Sequence, residues 1–339
     1  MNRIGVITTS DNIKYKYIPD CIYQRMPRKI INAICLTFKK IRYESINIPG
    51  MDVSITAVRL PVTAQQLDTL GQRSLEYFCN TAIDYFEKEG IESIFICESL
   101  QLYRRVLGKA YQRIQKYIYR GKKLFISLCV EISKKICKIL ELNPIEMRIR
   151  IIESSYSWKS KLFISMLSPH AKYISLVTHN IKDAQADMDK IYEETGLTVH
   201  VSDRPVKSSE LELVYVLDDA SQYFTKEFLG AHTILFFLSP EGSSSIDTNN
   251  IIMDGIDIRM PSRLNEITKT LNLTNTEAFI EAILSLELVN TFSDKDYNYY
   301  DEMKKSFERL GCKINALKSR DTIVNIKWLE RITRSMKDC

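Results

Sequence analysis

The chain has 339 residues, of which 45% are hydrophobic and 26% charged, and this composition excludes disorder as the state of the whole chain. No stretch approaches the roughly 20 apolar residues of a membrane-spanning helix, so no transmembrane segment is expected. The first residues resemble a strand more than an export signal, which favours a cytoplasmic location. Since domains usually hold about 100–200 residues, the length predicts two of them.

The net charge of +5 conceals an asymmetry between the two parts of the chain. Residues 1–142 contain 23 Lys and Arg against 13 Asp and Glu, a balance of +10. Residues 143–339 contain 24 against 29, a balance of −5. This division predicts that the first part meets an anionic partner, either RNA or an acidic protein, which no motif identifies further.

The first 142 residues are predicted to form a small basic α/β domain. Apolar alternation and turn signals divide it into short elements. In chain order these are a strand at Arg3–Thr8, a basic stretch at Lys14–Arg42, a strand at Val53–Arg59, a helix from Thr63 to about Glu89, a strand at Ile91–Cys97, and helices near 100–120 and 123–140.

Residues 143–290 are predicted to form a parallel sheet covered by helices on both faces. The strands are continuous apolar runs, as burial on both faces requires, and they alternate with helices. The strands are Met147–Ile152, Tyr173–Val177, Leu197–Val201, Leu211–Leu217 and Thr233–Leu238, and the helices are Trp158–Leu167 and Ile181–Thr195.

Beyond this sheet, Ile251–Ile258 is predicted as an edge strand, and the capping box Thr274–Glu277 opens a helix through Val289. Residues 291–339 are expected to pack back on the two domains as a mainly helical tail. The tail contains a charged helix from Asp294, a strand at Lys313–Leu317 and a final helix with Trp328.

Three segments carry a resemblance to a known fold family: Thr178–Ala184, Leu211–Asp218 and Gly230–Pro240. They resemble the NAD(P) domain shared by the shikimate dehydrogenase and glutamyl-tRNA reductase families, over residues 147–240. In those families an Asn-Arg-Thr segment after the second strand binds the adenosine 2′-phosphate of NADP. The resemblance therefore implies an NADP contact at His179, Asn180 and Lys182.

The turn after the first strand departs from the family pattern. A G-x-G-x-x-G turn allows close approach of the pyrophosphate, whereas Glu153–Trp158 contains no glycine. Glu153 would bring a negative charge near the pyrophosphate, and Trp158 would crowd the helix against the strand. Ser154 and Ser155 remain as donors for an anion at the helix start. The turn favours a degenerate Rossmann-like scaffold without a cofactor, with NADP as the alternative.

A second candidate site is a run of cations at helical spacing. Residues 99–130 contain no Asp or Glu. Steps of three and four place one set of cations along one helix face, namely Arg105, Lys109, Arg113, Lys116 and Arg120. The hypotheses for this face are binding of nucleic acid, pairing with the acidic second part of the chain, and contact with anionic lipid.

Other chemistry is sparse in the sequence. None of the eight cysteines forms a C-x-x-C pair, the histidines lack zinc-ligand spacing, and we expect no metal site. Asp218 and Asp219 follow a strand, where they either hold a metal or, more commonly, end the strand or cap a following helix. No catalytic residue is identified. The sequence thus favours a non-catalytic or cryptic-ligand protein on a dehydrogenase-like scaffold, with an NADP-dependent oxidoreductase and a nucleic-acid-binding protein as alternatives.

Overall fold

The computed structural model describes residues 2–10, 25–27, 30, 41–48, 51–91, 93–101, 119, 121–208, 210–218, 230, 233–238, 250–288, 291–319 and 322–324. The chain divides into two compact units. The first comprises Met1–Gly121 and Met260–Thr291, and the second comprises Lys122–Arg259 and Phe292–Cys339.

The described strands in chain order are β1 (Asn2–Thr9), β2 (Arg42–Asn47), β3 (Val53–Leu60), β4 (Ser93–Ile96), β5 (Arg148–Ile152), β6 (Tyr173–Val177), β7 (Val199–Ser202), β8 (Glu212–Val216), β9 (Thr233–Phe237), β10 (Ile251–Met253), β11 (Gly255–Arg259), β12 (Lys313–Ser319) and β13 (Thr322–Ile323). The described α-helices are α1 (Gln72–Lys88), α2 (Glu98–Gln101), α3 (Lys122–Ser127), α4 (Cys129–Ile139), α5 (Trp158–Leu167), α6 (Ile181–Thr195), α7 (Ser262–Thr270), α8 (Thr276–Leu288) and α9 (Tyr297–Arg309). Among the described residues, no helix combines the length and apolar character of a bilayer span.

A four-stranded sheet forms the centre of the first unit, with strand order β2-β3-β1-β4. β1 runs parallel to β3 and β4, whereas β2 runs antiparallel to β3. Helix α8 packs against β1, β3 and β4, and nearly all of its side chains are buried. A helix that is buried all round belongs to a core, so α8 completes the first unit although it follows the second sheet in sequence.

In the first unit, one predicted helix was wrong in detail and one strand was not predicted. The helix expected from Thr63 to Glu89 is a 3₁₀ helix at Ala64–Thr69 followed by α1. Gly71 separates them because its ψ of 147° is extended and cannot continue a helix. Strand β2 was missed altogether, since its half-exposed side chains give a weak apolar signal.

The sheet of the second unit has six strands in the order β10-β9-β8-β5-β6-β7, and all neighbours run parallel. This is the Rossmann order, with its topological switch point between β5 and β8. The predicted α/β class with a Rossmann-like parallel sheet is confirmed. Helices α5 and α6 begin and end where the sequence predicted, and Gly196 closes α6 at a φ of 72°.

The core of this sheet lies beside the switch point. One cluster of buried side chains joins five of the strands: Ile152, Val177, Val214, Val216, Leu235, Phe237 and Ile252. Tyr215 of β8 is also fully buried, where its ring stacks on Phe236 and its hydroxyl lies 2.6 Å from Ser133 Oγ of α4. Burying each large apolar side chain contributes about 1.5–3 kcal/mol, so this region anchors the turns that follow the strands.

The strand expected at Ile251–Ile258 is divided at Asp254. β10 extends the six-stranded sheet, and β11 enters a three-stranded sheet in the order β11-β12-β13. The backbone N–H of Asp254 donates to Lys318 O of β12, and this hydrogen bond turns the chain from one sheet to the other. In the expected capping box, the Asn275 side chain accepts from Ala278 N and caps α8. The final helix expected around Trp328 lies outside the described residues.

Each compact unit consists of two separate segments of the chain. The sequence instead predicted consecutive domains with boundaries at residues 142 and 290. Residues 122–142 belong to the second unit because α3 packs against α9 and α4 packs against α5. Residues 260–290 belong to the first unit because they carry α8. Local periodicity locates helices but does not tell which sheet a helix covers.

Candidate functional site

The turn between β5 and α5 is built around a buried glutamate. Glu153 follows β5 and is only 3% exposed, and its backbone N–H donates to Val177 O of β6. Its carboxylate accepts three hydrogen bonds: from Ser157 N–H at 2.9 Å, from Ser157 Oγ at 2.6 Å and from Ser160 Oγ at 2.6 Å. The Glu153 side chain therefore lies against the first turn of α5.

The position of this carboxylate is the usual anion site of the fold. The first N–H groups of a helix lack intrahelical partners and carry partial positive charge. In a Rossmann domain the pyrophosphate binds there. In this protein Ser157 is the N-cap of α5, with its Oγ accepting from Lys159 N, and the Glu153 carboxylate supplies the anion. The sequence placed a negative charge near this point, and the structure shows that the charge lies on the helix start itself.

The turn is also tied across the switch point. The Ser154 backbone N–H donates to Asp218 Oδ2 at 2.8 Å, and the Ser154 hydroxyl donates to the same oxygen. Asp218 follows β8, the strand beside β5, so the bond links the two strand ends at the switch point where Rossmann ligands bind. The other oxygen, Asp218 Oδ1, is buried with no hydrogen-bond partner among the described residues. Here Asp218 ends its strand as an acceptor for Ser154.

The remaining proposed cofactor residues lie around the end of β6. The backbone N–H of His179 donates to the backbone carbonyl of Ser154 at 3.2 Å, so these two positions lie side by side. Ser155, His179, Asn180 and Lys182 are exposed, and the last of these lies in the first turn of α6. Their contact with a phosphate stays a prediction.

A polar cluster links α5 to α6, and the sequence analysis missed it. Tyr156 donates its hydroxyl to Asp187 at 2.9 Å, and Lys161 pairs with the same carboxylate at 2.9 Å. Burial raises the pKa of Tyr156, and the bond to Asp187 raises it further. Burial disfavours ionised Asp187, but hydrogen bonds from Lys161 and Tyr156 outweigh it and lower its pKa. The cluster fixes the two helices that border the turn.

Trp158, expected to crowd the helix against the strand, instead places its ring 6.3 Å from that of Tyr300 in α9. Trp158 is the first residue of α5. The large side chain at the glycine position of the family pattern thus contributes to packing between helices.

Nucleophile and metal chemistry find little support in the described residues. The cysteines described there are free and buried: Cys79, Cys97, Cys129, Cys137 and Cys312. Burial raises the pKa of Cys79 and Cys312 to about 12, so these thiols stay protonated at neutral pH. The described residues contain no group of three His, Cys, Asp or Glu side chains suited to a metal ion.

The proposed anion-binding face of the first domain cannot be placed. Its five cations, Arg105, Lys109, Arg113, Lys116 and Arg120, all lie outside the described residues. Nucleic-acid binding by this face stays a prediction.

No family model and no curated protein matches the chain. Similar solved structures include L-tryptophan dehydrogenase from Nostoc punctiforme, at 9% identity and a TM-score of 0.31, covering 99% of this chain and 88% of that one. Another is 5-ketofructose reductase of Gluconobacter sp. strain CHM43, at 11% identity and a TM-score of 0.29, covering 90% of this chain and 98% of that one. A third is a shikimate dehydrogenase in complex with NADP+, at 11% identity and a TM-score of 0.30, covering 91% of this chain and 96% of that one. The chain thus weakly resembles Rossmann-type dehydrogenases, and likeness at this level carries no inference about activity.

Proposed function

We propose that this protein is a non-catalytic, ligand-binding member of the Rossmann-like fold class that does not use a dinucleotide cofactor. The observation that carries the proposal is the Glu153 carboxylate, which accepts three hydrogen bonds at the start of α5. A pyrophosphate at the same helix start would compete with this carboxylate for these donors. The protein therefore supplies from its own chain the anion that a cofactor would otherwise bring.

Magnitudes support this interpretation. Hydrogen bonds to a charged group contribute about 1.5–3 kcal/mol each, and in this protein they are already made before any ligand arrives. A pyrophosphate that displaced Glu153 would exchange one anion for another and leave the carboxylate without its partners. Without three such bonds, a micromolar dinucleotide complex of about −8 kcal/mol would lose about 4.5–9 kcal/mol and bind in the millimolar range or more weakly.

Titration calorimetry with NADPH and with NADH tests the proposal on the purified full-length protein. We expect no saturable binding below about 1 mM of either dinucleotide. A micromolar dissociation constant would overturn the proposal and favour the oxidoreductase alternative. In that case a Lys182→Gln variant should bind NADPH more weakly than the wild type and NADH equally well, since Lys182 is the candidate for the 2′-phosphate.

The nucleic-acid alternative keeps a separate test. Anisotropy measurements with single-stranded RNA at two salt concentrations should show affinity that falls steeply with salt if the basic face contacts phosphates. A triple Arg105→Gln, Lys109→Gln, Arg113→Gln variant should then flatten the dependence on salt. Absence of binding at low salt would remove this alternative and leave pairing with acidic protein surface as the interpretation of these cations.

A further inference from the structure

A cavity of about 410 Å³ opens at the amino-terminal edge of the six-stranded sheet. It is lined by the first residues of neighbouring strands, among them Arg148 and Arg150 of β5, Tyr173 of β6 and His200 of β7. Glu153 follows the other end of β5, so this cavity is separate from the closed turn. Its volume lies in the range of about 300–1,000 Å³ that is typical of small-molecule sites.

The cavity exists because of the connection between β7 and β8. A parallel sheet is normally covered on both faces by its crossovers. Here the described residues of the connection, 203–208 and 210–211, contain no helix. The connection instead contributes Val206 and Lys207 to the cavity lining, and the Val206 side chain is 70% exposed. The described part of this connection therefore places no helix over this end of the sheet.

The floor of the cavity is a buried ion pair. Arg150 Nη2 lies 2.9 Å from Glu212 Oε1, with the two side chains 11% and 6% exposed. Beside it, Arg148 pairs with Glu210 at 2.5 Å, and its guanidinium lies 5.4 Å from the centre of the Tyr173 ring. The buried contact holds the Arg150 guanidinium in place, whereas the pair formed by Arg148 is exposed to solvent.

The rim carries further positive charge. Lys172 and Lys207 line the cavity and are exposed, and no carboxylate among the described residues pairs with either ammonium group. Glu212 is the acidic residue of the lining, and it is already paired with Arg150. Tyr173, 52% exposed, adds a flat apolar surface at the same opening. The cavity is therefore cationic with one aromatic wall.

We propose that this cavity binds a small anionic metabolite, a phosphate or carboxylate that carries a flat apolar group. The ammonium groups of Lys172 and Lys207 take the anion, and the ring of Tyr173 packs against the flat group. Ser175, Thr198 and Ser208 line the same space and supply neutral hydrogen-bonding groups. A nucleoside monophosphate has this chemistry and a size that fits the cavity.

Three probes distinguish the sources of the anion: AMP, phenyl phosphate and benzoate, each titrated calorimetrically into the full-length protein at low ionic strength. We expect saturable binding of at least one probe, and no comparable binding of adenosine, which lacks the anion. Stronger binding of AMP and phenyl phosphate would identify a phosphate ligand, and stronger binding of benzoate a carboxylate. Absence of saturable binding by all three would overturn the proposal.

Variants then locate the site. A Lys172→Gln, Lys207→Gln double variant should weaken binding of the probe about a hundredfold or more, since it removes two contacts to the anion of about 1.5–3 kcal/mol each. Tyr173→Leu should weaken AMP and leave inorganic phosphate unchanged. The matched control is Lys295→Gln, an exposed lysine of the same unit that does not line the cavity. Equal loss in the control would show that the probe does not bind in this cavity and would contradict the proposal.

Failure here and failure of the proposed function are distinguishable. Micromolar NADPH binding that Lys182→Gln weakens would overturn only the cofactor-free proposal. Absence of probe binding, or equal probe binding by the wild type and the Lys172 and Lys207 variants, would overturn only the proposal for the amino-edge cavity.

Discussion

The two edges of the six-stranded sheet differ in the sign of their charged side chains and in how these side chains are paired. At the carboxyl edge, the Glu153 and Asp218 carboxylates accept hydrogen bonds from serines of the turn after β5. At the amino edge, Lys172 and Lys207 line an open cavity without carboxylate partners among the described residues. The acidic groups described at the carboxyl edge are thus paired within the chain, whereas the cations at the amino edge are accessible.

Strand order and ligand site are therefore separable properties of the fold. The order of the strands places the carboxyl ends of β5 and β8 beside each other, whatever side chains follow them. Whether the crevice accepts a ligand depends on a few polar groups in the turns. A fold assignment therefore predicts the position of a site, whereas the residues at that position determine whether a ligand binds there.

The largest effect is expected at the amino edge, from the buried pair. Arg150→Met should lower the free energy of unfolding by about 3–5 kcal/mol at pH 7, because it leaves the Glu212 carboxylate buried without its partner. An Arg150→Met, Glu212→Leu double variant removes both charges and should recover stability to within about 1 kcal/mol of the wild type. Urea denaturation measures all three proteins. If Arg150→Met were as stable as the double variant, the Glu212 carboxylate would have to be solvated in the folded protein, which would contradict this prediction.

A somewhat smaller effect is expected at the carboxyl edge. Glu153→Ala leaves the donors of Ser157 and Ser160 without their acceptor and should lower the free energy of unfolding by about 2–4 kcal/mol. Because the vacated space is an anion site at a helix start, formate should partly restore the melting temperature. Glu146→Ala, at an exposed glutamate, is the matched control and should show neither the loss nor the rescue. Rescue of neither variant, or of both equally, would contradict the assigned role of Glu153.

The bridge across the switch point should contribute less. Ser154→Ala removes the hydroxyl that donates to Asp218 but keeps the backbone N–H bond, so we expect a loss of about 1 kcal/mol. Ser155→Ala, at the exposed neighbouring position, should change stability by less than about 0.5 kcal/mol. Thermal denaturation of the pair checks this. Equal values for both variants would mean that the bridge does not stabilise the turn.

The smallest effect is a dependence on pH from Glu212. Burial raises the pKa of this carboxyl, and Arg150 only partly opposes the shift. The folded state therefore holds the proton more tightly than the unfolded state, whose pKa is about 4.3. The resulting stability is fully present below that value and is lost as pH rises through the folded-state pKa. Relative to Glu212→Gln, the wild type should lose stability as the pH rises above about 4.3, and an opposite slope would contradict this.

The sequence predicted the second unit more completely than the first. Helices α5 and α6 have strong local signals, namely a serine before the first turn and Gly196 after the last, and their bounds were correct. β2 has half-exposed side chains and was missed. Local patterns suffice where an apolar face and its end signals agree.

The candidate sites were predicted only in part. The glycine-free turn at Glu153 was recognised, but the direction of its side chain depends on the path of the backbone from β5 into α5. The amino-edge cavity draws its lining from four strands and one connection, so no spacing in the sequence identifies it. The absence of a helix between β7 and β8 was the nearest signal, since only nine residues, 203–211, separate these strands.

The internal position of the Glu153 carboxylate also bears on how this fold is maintained in a cell. A protein that binds a cofactor gains stability that grows with the cofactor's concentration, and it loses that stability when the cofactor is scarce. A carboxylate attached to the same chain is present at an effective concentration fixed by the backbone. The start of α5 therefore keeps its counter-charge from the moment of folding, independently of the nutritional state of the cell.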